Sequence, residues 1–188
     1  MFEGQFDKFT KEAKQALIVA QEQAREFGQG YVGTEHMLLG VLSQENSLGA
    51  SVLINFGVSM QNVKMVLKSV GGSKKNSTND SSAPSGGLSD FARKVIEGAV
   101  KIAHEYGHSF IGTEHLLHAI VSQDNTAATV ILENMRINPS DVRDQILEIF
   151  EQSKNGTRGA NQGKFQGSMN PLEAFLSGLH GVLASGQL

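Results

Sequence analysis

Cysteine and tryptophan are absent from the 188 residues, and no basic surplus exists: 16 Lys and Arg stand against 19 Asp and Glu, a net charge of −3. Without cysteine there is no disulfide framework, no thiolate catalysis and no Cys-based zinc or iron–sulfur site. The mildly acidic balance argues against nucleic acid as the main partner, because phosphate backbones select basic patches. No apolar run approaches the roughly 18 residues of a membrane-spanning helix. The opening Met1-Phe2-Glu3-Gly4-Gln5-Phe6-Asp7-Lys8 lacks the basic and apolar regions of a secretory signal. A cytoplasmic protein that binds no membrane is the simplest reading, and the Asn-x-Ser/Thr acceptors at Asn76, Asn79 and Asn155 carry no meaning in it. An ATP-binding phosphate loop is also missing: at the nearest approach, Gly163-Lys164, Arg158 replaces the first glycine and Phe165 the hydroxyl residue. No G-x-S-x-G nucleophile elbow occurs. What is present, 39% hydrophobic and 19% charged residues, suffices for a core.

The chain is organised by a duplication. Tyr31-Val32-Gly33-Thr34-Glu35-His36-Met37-Leu38 recurs as Phe110-Ile111-Gly112-Thr113-Glu114-His115-Leu116-Leu117, an offset of 112 − 33 = 79. The same offset pairs Thr10 with Ser89, Ala13 with Ala92, Ala20 with Ala99, Gly28 with Gly107 and Leu53 with Leu132. Self-similarity sustained without a gap means two copies of one structural unit. Residues 1–72 form the first repeat and 88–152 the second. The Gly/Ser/Asn-rich stretch 73–87 reads as a flexible linker, and 153–169 as another. Residues 170–188 form a short helical segment.

Each repeat reads as four helices. Ala13, Ala16, Leu17, Ala20 and Ala24 recur at helical spacing between an N-cap at Thr10 and a stop at Gly28. Thr34 is expected to cap a second helix with Glu35 at its positive end. Val52, Leu53 and Phe56 mark a third helix ended by Gly57, and Ser59 caps a fourth. The second repeat follows suit, with Pro139 in the first turn of its last helix. Few strand-like alternations compete, so the fold is all-α: two tandem four-helix repeats, eight helices, packed as one pseudo-two-fold domain.

His104-Glu105-Tyr106-Gly107-His108 matches the metalloprotease pattern H-E-x-x-H. Gly107 should end the helix before His108, and the first repeat has Arg25-Glu26-Phe27-Gly28-Gln29 there, so no metal site is assigned. His115 and His118 are the only obvious further donors. The repeated His36 and His115 are expected to be partly buried and hydrogen-bonded beside the cap. In Gly-Thr-Glu-His, a turn glycine, a capping threonine and a dipole-stabilised glutamate explain three of four residues structurally. A carboxylate beside helix N–H groups also suits a ligand of both charge signs, the carboxylate taking a guanidinium and the amides an anion.

Phe9-Thr10, Ala24 to Gly28, Val32-Gly33-Thr34-Glu35-His36 and Leu38-Leu39-Gly40, repeated at the offset, resemble the Clp N-terminal repeat domain. The likeness covers about residues 2–152 and is nearest to the N-domains of ClpC-type AAA+ unfoldases. Asn170-Pro171-Leu172-Glu173-Ala174-Phe175 is similar to the stretch before the first ATPase module of that family, so the chain is expected to be a fragment ending at the edge of a motor. The resemblance implies a non-enzymatic module without cofactors that receives adaptor proteins and protein substrates for a hexameric parent. That parent works with the ClpP peptidase, whereas the fragment itself would be monomeric. It further implies phosphoarginine docking, one site per repeat. Glu35 and Glu114 would hold the guanidinium, and Thr10 and Ser89 would help with the phosphate alongside the backbone of Val32 and Ile111. The alternative is a free-standing adaptor or regulator without a motor.

Overall fold

The computed structural model describes residues 6–71 and 87–158. Among them it contains α1 (Lys11–Glu26), β1 (Tyr31–Val32), α2 (Thr34–Leu42), α3 (Leu48–Asn55), α4 (Met60–Gly71), β2 (Gly87–Leu88), α5 (Asp90–Glu105), α6 (Thr113–Val121), α7 (Ala127–Asn134) and α8 (Pro139–Arg158). The all-α expectation of two four-helix repeats holds, with one small parallel ladder added. The chain divides into compact units Met1–Leu147 and Glu148–Leu188, and the two Gly-Thr-Glu-His segments lie in the first. The linker expected at 153–169 starts too early, because α8 continues to Arg158; Glu151, Gln152 and Lys154 are good helix formers whose exposure costs nothing. Gly87, assigned to the first linker, is the residue of β2 that pairs with Tyr31. The rest of that linker and the segment 170–188 lie outside the described residues.

Helix boundaries follow local chemistry. The Thr10 hydroxyl accepts from the Ala13 N–H at 3.1 Å and the Ser89 hydroxyl from Ala92 at 3.1 Å, so α1 and α5 start on equivalent N-caps. Both end where glycine enters the left-handed region, Gly28 at φ 68° and Gly107 at φ 72°. α2 is buried at every position from Thr34 to Leu42 and forms the centre of the domain. It lies against a face of α1 built from Ala13, Ala16, Ala20 and Ala24. Those small side chains let the two backbones approach closely.

After α3 the chain turns through Gly57 at φ 79°, yet the equivalent position after α7 is Arg136, at φ 61°. A side chain in that region costs roughly 1–2 kcal/mol. Arg136→Gly is therefore expected to stabilise the domain by about 0.5–1 kcal/mol after the added unfolded-state entropy of glycine. A rise in the urea midpoint would show this; an unchanged midpoint would mean that the arginine recovers the strain through its own contacts.

The repeats exchange contacts reciprocally. Ser89 N–H donates to the Val32 carbonyl at 2.9 Å, and Thr10 N–H donates to Ile111, the equivalent of Val32, also at 2.9 Å. The Thr113 hydroxyl accepts from Gly49 N–H at 3.1 Å, and that of Thr34 accepts from Ala128 N–H at 3.2 Å. Each bond therefore occurs twice with the repeats swapped, the signature of an isologous two-fold interface. Thr34 does not cap its own helix as the sequence suggested. Gly33 is the N-cap of α2, and the Thr34 hydroxyl serves the first turn of α7 in the other repeat.

Candidate functional site

Each Gly-Thr-Glu-His segment makes a tight corner between a short strand and a buried helix. At the first, Gly33 N–H donates to His36 Nδ1 at 2.9 Å; at the second, Gly112 N–H donates to His115 Nδ1 at 2.9 Å. Both imidazoles are buried, as anticipated for the repeated histidines. Because Nδ1 accepts, the proton of each neutral ring sits on Nε2. Burial pushes His36 down to about 4 and His115 down to about 3. For His115 the neighbouring His108 and His118 add to the effect.

The glycines have a role that the sequence did not disclose. Gly33 and Gly112 have φ of −98° and −96°, which any residue adopts, so neither is needed for its dihedral. A Cβ at Gly33 would instead run into the Glu35 carboxylate, and one at Gly112 into that of Glu114. Glycine is there so that the carboxylate can fold back over the helix start. Desolvation raises the pKa of Glu35, partly offset by its own backbone N–H. Desolvation also raises that of Glu114, which has its own N–H and the Thr113 hydroxyl as relief and the charge of Glu12 as an added burden. The Glu114 side chain is 20% exposed against 8% for Glu35, so the second corner is the more open.

The structure assembles the phosphoarginine candidates crosswise. The Thr10 helix start lies against Ile111 and the Glu114 corner, and the Ser89 helix start lies against Val32 and the Glu35 corner. Each set thus draws on both repeats instead of one. The Ile111 N–H donates to the Lys8 carbonyl at 2.7 Å, and its own carbonyl accepts from Thr10 N–H. The Val32 carbonyl likewise accepts from Ser89 N–H, so each of these residues ties its corner to the long helix of the other repeat. Thr10 and Ser89 hydroxyls accept from the helix and keep a proton to donate.

The H-E-x-x-H residues do not converge. α5 ends at Glu105, Gly107 turns the chain, and His108 Nδ1 lies 2.7 Å from His115 Nε2, while His104 is exposed. Among the described residues no three His, Asp or Glu are grouped to hold a metal ion, and no helix is long and apolar enough to cross a membrane. The His108–His115 contact and the approach of Glu12 to Glu114 were not anticipated. The only sequence signal for the first is that the offset pairs His108 with Gln29.

Two helical repeats locked by reciprocal bonds, each presenting a carboxylate at a helix start, buried at Glu35 and half-buried at Glu114, define a duplicated all-α binding module. The model of the Clp repeat (R) N-terminal domain matches residues 8–89 and again 87–170, and the chain belongs to that family. It is 30% identical over 183 residues to the ATP-dependent Clp protease ATP-binding subunit ClpA homolog of Guillardia theta, a match covering 97% of this chain and 22% of that protein. The chain spans about a fifth of the length of the curated relatives it matches. Its fold is that of the N-terminal domain of the chaperone ClpD from Arabidopsis thaliana, with a TM-score of 0.66 and 20% identity over 78% of this chain and 96% of that one. A ClpV N-domain solved in complex with a VipB peptide superposes with a TM-score of 0.57 at 16% identity, over 80% of this chain and 92% of that one. As a Clp N-terminal domain, this region is a binding module and not a catalytic one.

Proposed function

We propose that this domain recognises adaptor proteins and protein substrates in the cytoplasm for a ClpC-type ATP-dependent unfoldase, and that its two corners dock phosphoarginine. The names of its relatives, which include an ATP-binding subunit of a Clp protease and a ClpV N-domain holding a peptide, support the first part. In this reading the captured protein passes through a hexameric motor to the ClpP peptidase. The observation that carries the second part is the pairing, twice over, of a desolvated carboxylate with the N-capped start of the other repeat's long helix. The carboxylate suits the guanidinium, and the hydroxyl of Thr10 or Ser89 with the first-turn amides suits the phosphate.

Calorimetry with free phosphoarginine tests this. Binding heat is expected, and Glu35→Gln combined with Glu114→Gln should weaken it about ten- to hundredfold, the value of a hydrogen bond to a charged group. Neither substitution should destabilise the domain at neutral pH, because each removes a charge whose burial is unfavourable. No heat, or unchanged affinity in the double variant, overturns the phosphoarginine assignment and leaves adaptor binding standing.

A further inference from the structure

The two corners are built alike except for what lies behind the histidine. In the second repeat Gly112 N–H donates to His115 Nδ1 at 2.9 Å, so His115 Nε2 carries the proton and donates it to His108 Nδ1 at 2.7 Å. The rings meet edge to face at a centroid distance of 4.9 Å. In the first repeat the residue equivalent to His108 is Gln29; its Oε1 and the Nε2 of His36 are buried without a hydrogen-bond partner. An amide does not titrate on acidification and an imidazole does, with that of His108 held below its ordinary value by burial.

We propose that His108 is a proton sensor that loosens the Glu114 corner on acidification and leaves the Glu35 corner unaffected. Once protonated, His108 holds hydrogen on both ring nitrogens and has nothing to accept with. The Nε2–H of His115 is then left against another N–H. Either His108 leaves its place, or His115 changes tautomer and gives up the Gly112 N–H that fixes the start of α6. Both outcomes disturb the turn that holds Glu114.

Other charges face the pair, and their signs matter. On α6 these are Glu114, whose Oε1 is 3.3 Å from His115 Nδ1, and His118, which acts on His115. Glu105 on α5 and Arg143 on α8 act on His118, Glu12 on α1 acts on Glu114, and the Tyr106 ring is 6.2 Å from His108. Glu114 and His118 are the groups here that could mimic the effect, because each takes up a proton as pH falls.

The inference concerns the same corner as the phosphoarginine proposal, but its first readout needs no ligand. Nitrogen-detected imidazole spectra of the full chain at about pH 7.5 should show His108 and His115 both as Nε2–H tautomers. Lowering the pH to about 5 should shift the Gly112 amide with the His108 midpoint and speed its hydrogen exchange about tenfold relative to that of Gly33, whose signal stays put. His108→Gln, which installs the residue of the first repeat, should flatten the Gly112 response. A response that survives this change belongs to Glu114 or His118 and overturns the proposal, as do Gly33 and Gly112 titrating together or an Nδ1–H tautomer for His115. With phosphoarginine added above and below the midpoint, affinity should fall at the Gly112 corner only. Absence of any phosphoarginine binding would defeat the functional proposal while the amide titration still decides this one.

Discussion

Between about pH 7 and about pH 5 the domain is expected to lose about 4 kcal/mol of stability, about 2 kcal/mol from each buried histidine of the repeated motif. In the unfolded chain His36 and His115 take up protons below 6.5, whereas in the fold they refuse them until about 4 and about 3. Throughout that window the unfolded state binds more protons, so stability falls as pH falls. No solvent discount applies, since the two side chains are 0% and 2% exposed. Glu35 and Glu114 act in the opposite sense. Their raised values mean that the folded state takes up their protons first, which relieves part of the loss as the pH nears the carboxylate range. Urea unfolding at the two pH values measures the balance. Equal free energies at both would show that the imidazoles are not held neutral, and glutamine at both glutamates should deepen the acid loss.

The size of that effect comes from an arrangement only half legible in the sequence. Periodicity and caps act over three or four residues, so Thr10, Ser89, Ser59 and Gly28 are readable without knowing what lies opposite. The duplication was readable too, because its offset never changes. The exchange of partners between repeats was not. Nothing local marks that the Thr34 hydroxyl serves Ala128 or that Thr10 meets Ile111, since both are contacts between copies. The copies are alike, so intra-repeat and inter-repeat pairings satisfy the same pattern equally well. Gly33 misled for a related reason. Glycine before a helix suggests a dihedral requirement, whereas here it makes room for a carboxylate two residues on. His108 escaped notice as a partner because it breaks the repeat, and departures from a repeat are where two copies can divide their labour.

Gly40→Ala is expected to lower stability by about 2 kcal/mol even though alanine is the better helix former. Propensity alone favours alanine by about 1 kcal/mol in a helix interior. Gly40, however, faces α1 so closely that a Cβ would overlap the Ala16 carbonyl, which is backbone in a buried helix and cannot swing aside. Overpacking of this kind costs about 3 kcal/mol, so the clash wins, and the melting temperature of a domain this size should drop by roughly 4–8 °C. The second repeat supplies the control. There the offset puts Ala119 in place of Gly40, and space for its methyl comes from Gly98 on α5, which stands where α1 has Val19. A Cβ at Gly98 would meet that methyl at 3.1 Å, a contact between two methyl groups that a shift of a few tenths of an ångström relieves. Gly98→Ala should therefore be near neutral, its propensity gain offsetting the squeeze. Equal effects of the two substitutions in thermal unfolding would refute the assignment of the close approach to Gly40. The consequence extends to binding, because Gly40 and Glu35 share α2. Pushing that helix off α1 moves the Glu35 carboxylate away from the Ser89 helix start, so Gly40→Ala should weaken phosphoarginine at the first corner and spare the second.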